Sequence, residues 1–167
     1  FEKLNFFLNQ NVFKVEKILG NFIENINIVI ETKDFLNLQI SMNKNDHNEY
    51  IDSNIILYLI KSAKYQCEKT IQNMRVIHVL IDSYIIDNVN YTELPINHKC
   101  KNFSLDISFI CLSDELVRHI EKILKRFQIS VNRILSASYI DRFVDDKEIN
   151  FFKMTSKIID GYNKNEV

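Results

Sequence analysis

Glycine is nearly missing from this sequence: 167 residues contain two, Gly20 and Gly161, far apart and isolated. Phosphate-cradling loops need glycine so that backbone N–H groups can come close to the anion. Neither G-x-G-x-x-G nor G-x-x-x-x-G-K-S/T occurs. A self-contained nucleotide site is therefore not expected. Proline occurs once, as Pro95, and tryptophan not at all. Collagen-like, low-complexity and propeller-repeat compositions are thereby excluded. The cysteines are Cys67, Cys100 and Cys111, with spacings of 33 and 11. Those spacings fit no zinc pattern, and an odd count argues against a disulfide framework. Reduced thiols are expected, with Cys67 and Cys111 on apolar faces acting as small hydrophobes. No sign of charge predominates: 21 Lys+Arg meet 22 Asp+Glu, for a net charge of -1. Such a balance gives no general field for nucleic acid or anionic lipid. Runs such as Asn54–Ile60 reach only about a third of a membrane span. No charged-then-apolar signal segment opens the chain.

What is present supports a folded domain. Hydrophobic residues make up 46% of the chain, enough for a real core and too many for a disordered one. Alanine appears twice against 26 Ile, 20 Asn and 16 Lys. That bias points to AT-rich coding, so many Ile and Asn positions reflect codons rather than chemistry. The first residue is Phe1, not Met, and an excerpt or processed product is expected.

Periodicity predicts the elements. Asn11–Asn25 reads as a helix with Phe13, Ile18, Leu19, Phe22 and Ile23 as its apolar stripe and Asn9 or Asn11 as its cap. Ile26–Glu31 and Phe35–Met42 alternate as strands, with Lys33-Asp34 as the turn between them. Asn43–Tyr50 is a polar loop or boundary. A helix follows, capped by Asp52 or Ser53, with Ile56, Leu59, Ile60, Ala63, Cys67 and Ile71 on one face. Arg75–Asp82 is a strand apolar enough to be covered on both faces, and Tyr84–Asp87 continues it. The polar stretch 88–101, containing Pro95, is a long connection with a short strand near Tyr91. Phe103–Leu112 alternates most cleanly. Ser113 caps a helix whose buried stripe is Leu116, Val117, Ile120, Ile123, Leu124 and Phe127. Ser130–Ser136 is the last strand. Ile149–Tyr162, after the acidic run Asp145–Glu148, reads as an amphipathic helix with Phe152, Ile158, Ile159 and Tyr162 on its apolar side. Strands and helices neither alternate strictly nor segregate, which predicts an α+β fold with a mixed sheet.

The middle of the chain resembles a known family. The stretch Arg75-Val-Ile-His-Val-Leu-Ile-Asp82, preceded by a long helix, carries His78 inside a strand. Tyr84-Ile-Ile-Asp87 follows, then a polar connection to Leu105-Asp-Ile-Ser-Phe-Ile-Cys-Leu112 and the helix Glu115–Phe127. Gln128-Ile-Ser-Val-Asn-Arg-Ile-Leu-Ser-Ala-Ser-Tyr139 closes the series. This order is similar to the inserted strand–helix–strand–strand subdomain of FtsA, the actin-like bacterial cell-division family. The resemblance implies three parts: residues 1–50 as a fragment of an actin-like lobe, 51–140 as the inserted subdomain, and 141–167 as an amphipathic tail. The family's Asp-x-Gly phosphate loop has no counterpart in 141–167. In the family, the inserted subdomain serves contacts between FtsA subunits and recruits later division proteins. The resemblance therefore implies a non-enzymatic divisome module active in septum formation. Its expected partners are the tubulin-like ring protein, FtsA-like subunits and membrane division proteins, with indirect membrane association and no nucleic acid. Its expected place is the cytoplasm, at the inner face of the membrane at the division site. Two alternatives stay open: a portion of an actin-like ATPase whose nucleotide site lies elsewhere, and an unrelated ligand-sensing α+β module.

Candidate contact residues follow from the same elements. Arg118, Lys122, Lys125 and Arg126 recur at helical spacing and share one side, as a partner-facing or simply solvated face. Tyr84 and Ile86, with the stretch after them, are candidates for an open sheet edge. No catalytic residue, cofactor or metal is expected. His98 and Cys100 form the only close His/Cys pair, too few ligands for a metal. His78 is expected to be a hydrogen-bonded strand histidine, and Asp82, Asp87 and Asp106 offer no desolvated carboxylate pair.

Overall fold

A computed structural model describes residues 1–45, 49–94, 98–144 and 150–167, with Glu49 as backbone. His47, Pro95, Asp145–Glu148 and Ile149, on which parts of the predicted loops and terminal helix fall, lie outside the described residues. The elements in order are α1 (Glu2–Leu19), β1 (Asn25–Ile30), β2 (Leu36–Lys44), β3 (Glu49–Tyr50), α2 (Ser53–Thr70), β4 (Met74–Ile86), β5 (Val89–Tyr91), β6 (Lys99–Cys100), β7 (Phe103–Ser113), α3 (Asp114–Lys125), β8 (Ser130–Ser136), α4 (Ala137–Asp141) and α5 (Phe151–Ile159). The fold is α+β, as the sequence predicts.

The main sheet is antiparallel, in the order β2-β7-β4-β5. Its register follows from alternation in β7. Phe103, Leu105, Ile107, Phe109 and Cys111 are fully buried on one face, where Leu59, Ala63 and Cys67 of α2 pack against them. The opposite face of the sheet begins polar. Asp106 accepts hydrogen bonds from Ser41 Oγ at 2.6 Å and Ser83 Oγ at 2.8 Å, linking β2, β7 and β4. Farther along, the same face turns apolar, and Leu80 and Ile110 join Leu135, Tyr139, Ile140, Met154 and Ile158 in a second core. β4 is thus covered on both faces along His78–Ile81, as its unbroken apolar run predicts. Asp87 and Asn88, with φ of 45° and 70°, form the two-residue turn from β4 to β5, a conformation that Asp and Asn tolerate.

β1 and β8 form a separate parallel pair running from Asn25↔Ser130 to Ile30↔Ser136. Everything from β2 to α3 is thus looped out between two neighbouring parallel strands. β2 pairs with β7 along its whole length, so sheet pairing runs across position 50.

The first and last helices differ from expectation. α1 begins at Glu2 and stops at Leu19, where Gly20 adopts the left-handed conformation (φ 74°) and returns its N–H to the Glu16 carbonyl. Asn9 and Asn11 are helix-interior, and their side chains donate to the carbonyls of Asn5 and Phe7. Leu8, Val12 and Ile23 pack on Ile120, Leu124 and Ile129. The predicted stripe is mostly on the outside: Phe13, Ile18, Leu19 and Phe22 are all exposed. In α5, capped by Asn150 through the Lys153 N–H, Met154 and Ile158 are buried while Phe152 is exposed. Aromatic content misleads at Phe13, Phe22 and Phe152, because apolar type alone does not say which of two adjacent faces meets the core.

Candidate functional site

The basic face is built by α3. Ser113 Oγ accepts the Leu116 N–H at 3.4 Å and starts the helix, and Val117, Ile120, Ile123 and Leu124 turn inward. That orientation leaves Arg118, Lys122, Lys125 and Arg126 exposed on the outer side. Arg118 is tied to Asp114, one turn back, at 2.5 Å. Hydrogen bonds from Arg118 and Arg75 hold the Asp114 carboxyl below the usual carboxylate range. Among the described residues, no carboxylate pairs with Lys122, Lys125 or Arg126. Arg75 joins the start of β4 to this helix through Asp114 and Glu121, each at 2.7 Å. The beginning of α1 reaches the same helix. Phe1 stacks on His119 with ring centres 4.9 Å apart, and Lys122 and Arg126 line a dent of about 300 Å³ beside Glu2 and Asn5. Lys122 and Arg126, beside the Phe1 ring, can receive a carboxylate-bearing surface.

Tyr84 and Ile86 are not part of that face, nor do they offer an edge. Both are buried, at 3% and 5% exposure, in the core beneath α2. β7 pairs with them on one side and β5 on the other, so the sheet edge passes to Val89–Tyr91. Burial pushes the Tyr84 hydroxyl's pKa up, and that hydroxyl donates to Asn165 Oδ1 at 3.1 Å. The three cysteines are buried free thiols. Burial raises all three pKa values, that of Cys111 to about 12. Among the described residues no group of His, Cys, Asp and Glu can hold a metal ion. No helix among them is long and apolar enough to cross a membrane.

A buried polar network around Glu166 is one that the sequence does not announce. His78 is buried in β4, and its Nε2 accepts the Ser136 N–H at 3.0 Å. A ring accepting at Nε2 carries its proton on Nδ1. Nδ1 meets Glu166 Oε1 at 2.7 Å. Glu166 also takes Arg133, and Tyr139 donates its hydroxyl to Oε2 at 2.9 Å. Asn163 Nδ2 in turn donates to the Tyr139 oxygen at 2.9 Å. Burial works against charge on Glu166, but the hydrogen bonds from His78, Arg133 and Tyr139 prevail and hold its pKa below the usual range. Burial sends the Tyr139 hydroxyl's pKa well up. His78 is a hydrogen-bonded strand histidine, as expected. Its carboxylate partner is 88 positions away, so no spacing rule reveals it.

No protein-family model matches the chain, and no curated protein matches it.

Proposed function

We propose that this chain is a cell-division assembly module of the FtsA-like kind, non-enzymatic in itself, that works through protein–protein contacts. The observation that carries the reading is the parallel pairing of β1 with β8 around an excursion of one antiparallel sheet and its helices. That is the geometry of a subdomain inserted between two neighbouring parallel strands, and it supports the reading, although the excursion begins at β2, which the resemblance assigns to the lobe. The exposed cations of α3 are the proposed contact surface. They sit immediately before the returning strand, so a partner bound there is held rigidly against both parts. The proposed partners are the tubulin-like ring protein, other FtsA-like subunits and membrane division proteins. The proposed place of action is the cytoplasmic side of the division site.

A second reading has an observation of its own. A two-stranded parallel sheet is smaller than parallel sheets usually are, and α1 leaves Phe6, Phe13, Ile18 and Phe22 uncovered. Both features fit a piece of a larger actin-like ATPase whose nucleotide site is formed elsewhere. A crosslinked pull-down from native cytoplasm, with residues 1–167 as bait and mass spectrometry as readout, tests the first reading. Enrichment of division proteins is the expected result. A folded bait that recovers none of them overturns it.

A further inference from the structure

β4 is paired with β7 from Met74 to Ile86, with register shifts between Val76 and His78 and between Ile81 and Ser83, and among the described residues its other side is paired at two places. Tyr84–Ile86 hold β5, and Leu80 forms an antiparallel bridge with Glu166. At that bridge the Ile81 N–H donates to the Asn165 carbonyl at 2.8 Å, and the Val167 N–H donates to the Val79 carbonyl at 3.0 Å. Residues 165–167 are therefore held against β4 by a single antiparallel bridge. Among the described residues no strand pairs with Met74–His78 on this side. That stretch lines a cleft of about 710 Å³ together with Lys64 and Glu68 of α2 and Arg133 of β8. Glu166 and Val167 line the same cleft, so the unpaired edge continues directly from the occupied one.

We propose that this edge of β4, from Met74 to Ile81, is a docking site for an extended peptide supplied in trans that carries one glutamate at the register of Glu166, and that residues 163–167 are its resident occupant. The resident segment defines the chemistry. Its antiparallel direction carries whatever follows the Val167 position along His78 toward Met74. An unpaired edge presents N–H and C=O groups that any extended backbone can meet. One carboxylate fixes the register, because His78 Nδ1–H, Arg133 and the Tyr139 hydroxyl converge on a single position. These three donors belong to β4, β8 and α4, so they are in place whichever chain brings the carboxylate. A longer peptide pairs along the whole cleft, whereas the resident segment makes two backbone bonds to β4. This surface is distinct from the α3 face, and the inference does not depend on a role in division.

The test is fluorescence polarisation with the full chain. The probe is a fluorescein-labelled peptide of the 162–167 sequence continued by a short threonine run. Saturable binding is expected, with about tenfold weaker binding when the peptide's glutamate is replaced by alanine, as for loss of a charge-assisted hydrogen bond. Val167→Pro removes the resident segment's donor to Val79 and leaves the buried side chains in place. That variant should bind the probe more tightly than the unaltered chain. Absence of saturable binding, or equal binding of the alanine peptide, overturns the proposal. A concentration-dependent dimer that the probe does not dissociate overturns it in favour of strand exchange between copies. If Val167→Pro does not fold, the two peptides on the unaltered chain decide the question. Protection of the Arg75–Val79 amides from hydrogen exchange on adding the probe is the confirming readout.

Discussion

His78 and Glu166 meet at 2.7 Å, although 88 positions separate them. The contact ties the centre of the main sheet to a segment beyond the last helix, and it does so inside the protein. Arg133 and Tyr139 share the same carboxylate. Glu166→Gln keeps the shape but removes the charge that these donors surround. A loss of about 2–4 kcal/mol is expected, because a buried partner of a charged group is costly to leave mismatched. Urea unfolding measures it, and a loss below about 0.5 kcal/mol, the level of an ordinary surface change, contradicts the assigned network.

The same carboxylate makes stability depend on acid. The Glu166 pKa lies below its ordinary 4.5 in the folded protein. Its stabilising contribution is therefore complete above about pH 4.5 and is lost as the pH falls from there through the lowered folded value. Asp114, below its ordinary 3.8, adds loss of the same sign at still lower pH. Melting temperatures recorded between pH 7 and pH 3 should fall steeply at the acid end, and less steeply in Glu166→Gln. Identical slopes in the two proteins would remove Glu166 from the account.

Thiol chemistry separates native from unfolded chain. Burial raises the pKa of Cys67, Cys100 and Cys111, and the thiolate is the reactive form. A chromogenic disulfide reagent at pH 8 should label none of them quickly in the native protein and all three after denaturation. Fast labelling of Cys111 in the native state would contradict its burial.

Two phenylalanines should behave oppositely. Phe109 is fully buried between β7 and α2, and Phe152 is 79% exposed. Phe109→Ala should cost about 3–5 kcal/mol by opening a cavity. Phe152→Ala should stay within about 0.5 kcal/mol. Comparable losses at both sites would mean that α5 is turned the other way.

Charge reversal on α3 distinguishes a contact face from a structural one. Among the described residues, Lys122→Glu, Lys125→Glu and Arg126→Glu break no ion pair, and Arg118→Glu breaks one exposed pair of little worth. The altered protein should melt near the unaltered one and, on the proposed function, recover no division proteins in the crosslinked pull-down. Retained crosslinks would move the contact surface elsewhere.

Local chemistry made much of this fold legible. The caps at Asp52 and Ser113, the alternation in Phe103–Leu112 and the two-sided burial of β4 depend on neighbours in sequence, and each appears in the structure. Arg118, Lys122, Lys125 and Arg126 fall on one exposed side because four buried residues of the same helix leave them no other. Tyr84 and Ile86 fail as edge residues for the opposite reason. Whether a strand is at an edge depends on which strand pairs beside it, and β5 is set by a turn at Asp87-Asn88 whose pairing partner is not a property of Tyr84. The network on Glu166 was invisible because Arg133, Tyr139 and Glu166 come together only after three elements have packed. In α1, apolar residues lie on both sides, so periodicity alone does not separate the outer stripe from Leu8 and Val12.

The β1–β8 pairing has a consequence in time. Asn25 leaves the ribosome long before Ser130, its partner in the ladder. Throughout that interval β1 has no parallel neighbour from this pair, while the intervening sheet can close through the nearer contacts of β4 with β5 and β7. Pairing over such a separation is slow, since the loop between the strands must be ordered before the ladder rewards it. The β1–β8 ladder therefore closes over a larger sequence separation than the pairing of β4 with β5 or with β7.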